Sequence, residues 1–224
     1  MDLGRAVGFV FEDEEWLKKV LIGGVLMLIP VFGQLLAVGY GLEIARRVVK
    51  GHPQPLPEWD EWGTKIIEGF MSGVIGFVWA LPIIVVASCF GLLLVPLTES
   101  GGDEVGFLFI VLSLCIGLIV LIYSLALALI TPAALMNYAV TGELGAAFRF
   151  GEIFGMVREN LGAYLMVLVV TAIVTPLISA VGSIALGCGA LFTSFYGMLV
   201  MYHAYGQAYR TAAGNVEGAV AYPY

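Results

Sequence analysis

Three side chains at i, i+4 and i+7, His203, Gln207 and Arg210, are the first place in this sequence where chemistry could sit. A histidine beside an amide and a guanidinium could hold a pigment or a polar ligand. Tyr202, Tyr205 and Tyr209 form a neighbouring stripe. The competing reading is that the polar stripe hydrogen-bonds within a helical bundle while the tyrosines sit at a polar–apolar boundary. A second group is Glu43 with Arg46 and Arg47, at i+3 and i+4. That spacing suits an ion pair within one helix, or a gating or docking charge.

Beyond these groups the sequence offers little for catalysis. It contains no HExxH, Walker loop, GxSxG or CxxC. "SGGD" (Ser100–Asp103) resembles an intramembrane aspartyl-protease loop only if Ser100 were glycine, and no second Asp lies in an apolar block. Cys89, Cys115 and Cys188 are scattered, lack metal-ligand spacing and read as packing residues. No enzymatic activity, cofactor or metal is expected. The 10 Lys+Arg form no basic face, so nucleic acid is not an expected partner.

The elements that must position these residues belong to a membrane protein. The chain has 224 residues, 60% hydrophobic and 12% charged. A soluble domain carries roughly 25% charged residues, so lipid must solvate much of this surface. Five apolar blocks, 20–42, 70–97, 105–139, 161–186 and 189–209, are each long enough for a helix across ~30 Å of hydrocarbon. None alternates with period two, which argues against a barrel. A signal peptide at Val20–Ala37 would need an n-region containing the acidic run Glu12–Glu15, the wrong charge for that role.

Loop charge sets the orientation. "TESGGDE" (Thr98–Glu104) has no cation and "VGSIALGCG" (Val181–Gly189) no charge, whereas cations cluster in 46–65, at Arg149 and Arg158, and at Arg210. Cations are retained on the cytoplasmic side, so the last four blocks cross alternately and leave the C-terminus inside. Block one is ambiguous. As a single kinked span it would put Arg5, Lys18 and Lys19 outside; as a hairpin it keeps every cation inside. Pro30 breaks the helical ladder, Gly33 permits a sharp turn and Gln34 wants a polar partner, which favours the hairpin. The block's length argues the other way, since its apolar run suits one span of ~35 Å whereas two arms would be short.

The inner surface is elaborate. "GHPQPLPEWDEWG" (Gly51–Gly63) is extended by its prolines, and Trp16, Trp59 and Trp62 would form an interfacial belt. Thr131–Pro132 reads as a helix restart, and Thr141 as the cap of a further helix. Along that helix Phe150, Ile153, Phe154 and Val157 form the apolar stripe of an amphipathic surface helix. Among 29 glycines, the GxxxG pairs Gly69/Gly73 and Gly151/Gly155 suggest close helix packing, within the chain or with a partner, and Gly39 and Gly41 lie in the second half of block one.

"FEDEEWLKKVLIGGVLMLIP", "LPEWDEWG" and "TGELGAAFRFGEI" resemble segments of a family of bacterial and archaeal multi-pass membrane proteins of unknown function, DUF4013. The resemblance runs from about Gly4 to about Tyr209. It implies a polytopic membrane fold and no established activity, and it brings no catalytic residue with it.

The expectation is an all-α, polytopic transmembrane bundle spanning residues 1–210: an N-terminal helical hairpin, four spanning helices and an inner-surface amphipathic helix. Residues 211–224 are expected to be a flexible tail. The location implied is a prokaryotic cell membrane with both termini cytoplasmic. The partners implied are the lipid bilayer and other membrane subunits or a second copy. The function expected is a structural or accessory subunit without catalytic activity. The alternative is a channel or facilitator for a small or apolar molecule such as a lipid, its path opened by helices broken at Pro30, Pro82, Pro132 and Pro176.

Overall fold

The computed structural model describes residues 2–99, 103–184 and 189–215, and among them every regular element is helical. The elements are α1 (Leu3–Gly8), a 3-10 turn (Phe9–Glu12), α2 (Trp16–Leu26), α3 (Phe32–Val49), α4 (Trp62–Glu99), α5 (Asp103–Thr141), a second 3-10 turn (Leu144–Phe148), α6 (Phe150–Glu159), α7 (Leu161–Val169), a π-helical turn (Val170–Val174), α8 (Thr175–Ile184) and α9 (Gly189–Asn215).

Three helical stretches are long and apolar enough to cross a membrane: Trp62–Leu92, Phe109–Thr141 and Leu161–Ser183, with mean hydropathies of 2.3, 2.8 and 2.4. Their exposed side chains are those a bilayer would solvate. On α5 none of the described residues between Gly106 and Leu129 is buried, and Leu114 and Leu118 stand 69% and 57% exposed. The other helices are more polar or shorter. The 18 residues of α3 include Glu43, Arg46 and Arg47; α9 carries tyrosines, His203 and Gln207; α2 has only 11 residues.

Between α2 and α3 the chain doubles back. Phe32 N–H donates to the Pro30 carbonyl at 2.8 Å, and Val31 is held at φ 67°, a conformation that a β-branched residue adopts only under constraint. A side chain at Gly33 would collide with the Leu26 carbonyl, so glycine is what lets the two helix ends meet. Gln34 is exposed at this turn.

Glycines also set how the helices lie together. A Cβ at Gly39 would fall on the Lys65 carbonyl, and one at Gly69 on the Leu35 carbonyl, so α3 and α4 touch backbone to backbone and run antiparallel. Gly41 faces the Tyr202 ring and Gly206 the Ala45 carbonyl, which aligns α9 parallel to α3. Gly23 and Gly24 receive the rings of Phe195 and Phe192. Tyr40, Phe195, Ala37 and Ile44 fill one core with the 3-10 residues Phe9 and Val10; Ile75, Met136, Ile153, Tyr202 and Ala204 belong to the larger one.

Several expectations change here. Pro132 sits inside an unbroken α5, so no helix restarts there. Thr141 ends α5 by donating to the Asn137 carbonyl at 2.7 Å and does not open the next helix. The buried face of α6 is Ile153, Met156 and Val157; Phe150 and Phe154 stay half-exposed, with their rings edge-on to Trp79 at 5.0 and 6.4 Å. α9 continues through Asn215 with Ala212 buried, so residues 211–215 are helix rather than tail. Residues 216–224, 100–102 of the Thr98–Glu104 turn and 185–188 of the Val181–Gly189 turn lie outside the described residues. Of the four GxxxG glycines only Gly69 packs against another helix; Cβ atoms at Gly73, Gly151 and Gly155 would meet nothing within 4 Å. A four-residue spacing places two glycines on one face, but which face meets a neighbour depends on the crossing.

These contacts separate two sets of substitutions. Gly39→Leu and Gly69→Leu are expected to lower the apparent Tm in detergent by roughly 3–10 °C, the scale of overpacking by ~1–3 kcal/mol. Gly73→Leu is expected to leave it unchanged. Equal Tm values across the three variants would remove the close crossing.

Candidate functional site

The ionisable groups gather where α3, the start of α4 and the end of α9 meet. The loop 50–61 crosses this region, and the residues of "PEWDEWG" explain how it is held. The Pro57 carbonyl accepts the Tyr40 hydroxyl at 2.7 Å. The carboxylate of Glu58 pairs with Lys19 at 2.6 Å. Trp59 lies flat on Tyr40, with centroids 4.2 Å apart and planes at 20°, and its indole N–H donates to the Lys19 carbonyl at 2.9 Å. Asp60 pairs with Lys65 at 3.1 Å. Trp62 donates back to the Trp59 carbonyl at 3.0 Å. One loop thus ties α2, α3 and α4 together.

Two lysines are taken out of water by this loop. Lys65, with its side chain 3% exposed, is held by the Glu43 carboxylate at 2.8 Å, Asp60 Oδ1 at 3.1 Å and the Asp60 carbonyl at 2.8 Å, which occupies its three protons. Lys19, 5% exposed, sits between Asp13 at 2.8 Å and Glu58 at 2.6 Å. Burial alone pulls the Lys19 ammonium down, but the hydrogen bonds and charges of Asp13 and Glu58 outweigh it, and the net shift is upward. Asp60 is held below the usual carboxylate range by the Lys65 hydrogen bond. The charged form of Asp60 is therefore favoured by folding; its contribution is present above the ordinary carboxylate range and fades as pH falls.

The Glu43 pair is wider than one helix. Arg47 does bond Glu43 at 2.7 Å, at i+4, but Arg46 reaches across to Glu68 on α4, at 2.6 Å. Glu43 uses its second oxygen for Lys65. A cavity of about 220 Å³ opens beside this network, lined by Glu43, Arg46, Arg47, Lys50, Lys65 and Glu68 among others. Its cations are mostly neutralised in place, so the arrangement braces helices rather than presenting a free charge.

His203 and Gln207 are together, as their spacing implies, but they serve the N-terminal segment. Gln207 Oε1 accepts the Asp2 N–H at 2.7 Å, and its Nε2 donates to the Asp2 carbonyl at 3.0 Å. A backbone N–H can only donate and a carbonyl only accept, so the amide orientation is fixed. The same Nε2 then donates to His203 Nδ1, 3.2 Å away, which makes His203 neutral with its proton on Nε2. His203 is buried and stacks on Phe9, 4.3 Å between centroids. Beside them a second cavity, of about 410 Å³, is lined by Asp2, Arg5, His52, His203, Gln207 and Arg210 among others.

Of the expected interfacial tryptophans, Trp62 is exposed, Trp16 is half-buried against Phe11, and Trp59 is turned into the bundle. Sequence reasoning did not identify Tyr40, Lys19, Lys65 or Glu68 as parts of a site. Their signal was weak: a tyrosine in an apolar run, and single charges at helix starts. Trp79 was also missed; its indole N–H donates to the Ala147 carbonyl at 3.1 Å, and the Trp79 carbonyl accepts the Tyr123 hydroxyl at 2.7 Å.

The chain matches the family described as protein of unknown function (DUF4013) over residues 22–188. It belongs to the DUF4013 family. No curated protein and no solved structure matches it. In this DUF4013 chain the matched segment contains the whole Glu43–Arg46–Lys65–Glu68 network and Trp59, whereas Asp13, Lys19, His203, Gln207 and Arg210 fall outside it.

The burial of Lys65 has a measurable consequence. Lys65→Met leaves the Glu43 carboxylate with Arg47 as its remaining cation and one oxygen without a partner, and is expected to cost ~1–3 kcal/mol. Arg149→Gln, which breaks an ion pair between side chains 50% and 68% exposed, is expected to cost under ~1 kcal/mol. Denaturation in detergent should rank them in that order; similar losses would show that Lys65 is not a buried tie.

Proposed function

We propose that this chain is a multi-pass protein of the prokaryotic cell membrane without catalytic activity, a structural or accessory subunit that packs against other membrane proteins or a second copy. The observation that carries this reading is the division of labour among its residues. Of the ionisable groups that would serve a reaction or a proton path, Lys19, Glu43, Arg46, Lys65 and Glu68 are engaged in ties between helices. The surfaces left open along α4, α5 and α7–α8 are apolar, with Leu92, Phe107 and Leu177 at 76%, 71% and 61% exposure. Such surfaces suit lipid and neighbouring helices.

In this reading α9 is a fourth span, and α2–α3 is a hairpin that enters the membrane and returns. Support comes from the contact of Asp2 with Gln207 and of Gly51 with Arg210, which bring the N-terminal segment, the end of α3 and the end of α9 to one end of the molecule. Every cation then lies on the cytoplasmic side, as translocation energetics favour. Apolar residues at the turn, Leu28 and Phe32, are 63% and 62% exposed and would insert into lipid.

A second reading, a facilitator for a small or apolar molecule, draws on one feature. The helix from Leu161 to Ile184 changes to a π turn at Val170–Val174, just before Pro176, with the Thr175 hydroxyl bonded to the Val170 carbonyl at 3.1 Å. Irregular backbone within a membrane helix often marks a path or a moving part.

Reporters fused at Met1 and Tyr224 are expected to give the same cytoplasmic signal, and a cysteine at Ser100, with the native three removed, should react with an impermeant thiol reagent in intact cells while one at Arg158 should not. An external N-terminus would replace the hairpin with a single kinked span. For function, purification in mild detergent from the native source should yield a stoichiometric assembly larger than 23.9 kDa. A lone monomer that accelerates lipid or solute flux in liposomes would favour the second reading and end the first.

A further inference from the structure

The 410 Å³ cavity beside His203 differs from its neighbour in one respect: its arginines are free. Among the described residues, neither Arg5 nor Arg210 makes an ion pair or a side-chain hydrogen bond, whereas Arg46, Arg47 and Arg149 all pair with carboxylates. Asp2 is the cavity's acid, and its Oδ1 is already engaged as the cap of α1, accepting the Arg5 N–H at 3.0 Å. The walls are fixed rather than pliable. Gln207 clamps both backbone groups of Asp2, and His203 is pinned by Gln207 and Phe9. The Arg210 guanidinium lies over Gly51, whose φ of +73° lets the chain turn beneath it. The volume falls within the ~300–1,000 Å³ of small-molecule sites.

Two unpaired guanidinium groups against the single carboxylate of Asp2, with neutral hydrogen-bonding side chains around them, leave the space net cationic and favour an oxyanion. A guanidinium fork matches two phosphate oxygens at once, and is weakly enough hydrated to give up water for them. A neutral imidazole with its proton on Nε2 adds a donor without adding a further charge. We propose that this cavity binds the phosphate of a phosphomonoester or phosphodiester, from a lipid headgroup or a soluble compound, between Arg5 and Arg210. The site uses a segment near the N-terminus as one wall, so the occupant would also fasten α1 to α9.

The test uses the full chain, purified in detergent and stripped of lipid. One arm titrates inorganic phosphate at constant ionic strength and reads affinity by calorimetry. The other adds phosphatidic acid and counts retained lipid by native mass spectrometry. At least one probe should bind the wild type and Arg158→Gln, an exposed cation outside the cavity, equally well. In Arg5→Gln/Arg210→Gln the affinity should fall at least about 10-fold, the scale of losing a charged hydrogen-bond partner. Phosphate binding alone points to a soluble compound, and lipid retention to a headgroup. Should the glutamine variant fail to fold, Arg5→Lys/Arg210→Lys keeps both charges but loses the forks, and should bind several-fold more weakly than wild type. Binding of neither probe, or wild-type affinity in the variant that is read, would overturn the proposal.

Discussion

The contact on which much else rests is the one between two backbones, at Gly39 of α3 and Lys65 of α4. With no side chain at Gly39, the helices approach until the Lys65 carbonyl occupies the space a Cβ would take. That closeness fixes where the Lys65 ammonium can go. It reaches Glu43, one turn further along α3, at 2.8 Å and is sealed there by Asp60 from the loop. A charge so enclosed is stable only while all its partners are present. The crossing, the buried lysine and the loop are therefore mutually dependent.

The same logic extends outward. The loop's indole at Trp59 can stack on Tyr40 because α3 presents that ring on the face beside Gly39, and the Lys19 carbonyl it bonds belongs to α2. Gly41, two residues on, lets Tyr202 of α9 pack on α3. Three helices and a proline-rich loop are thus joined by ties whose donors and acceptors are largely paired. Much of α4 and α5, by contrast, carries exposed apolar side chains, as suits helices long and apolar enough to cross a membrane.

Polar groups at the two cavities follow opposite arrangements. Around Glu43 each cation but Lys50 has an acid, and the network acts as a brace. Around His203 the acid, Asp2, accepts the backbone N–H of Arg5, and the arginine side chains are left over. Net charge does not distinguish these regions; pairing does, and pairing depends on which helices are neighbours.

By itself the sequence determined a helical chain with stretches long and apolar enough to cross a membrane. Long apolar runs with few charges, and no period-two pattern, leave little else physically possible, and three helices of the required length and apolarity are present. Pro30 and Gly33 lie where α2 gives way to α3, where a ring without an N–H and a residue without a Cβ act locally. The tertiary structure decided what local pattern could not. GxxxG spacing named Gly69 and Gly73 alike, but only the crossing selects Gly69. Composition assigned Trp59 to the membrane interface, and only the placement of Tyr40 and Lys19 turns it inward. Arg46 sits at i+3 from Glu43, yet Glu68, 22 residues away, wins it at 2.6 Å. In each case the sequence sets the chemistry a side chain offers, while the angle and distance between helices set which partner receives it.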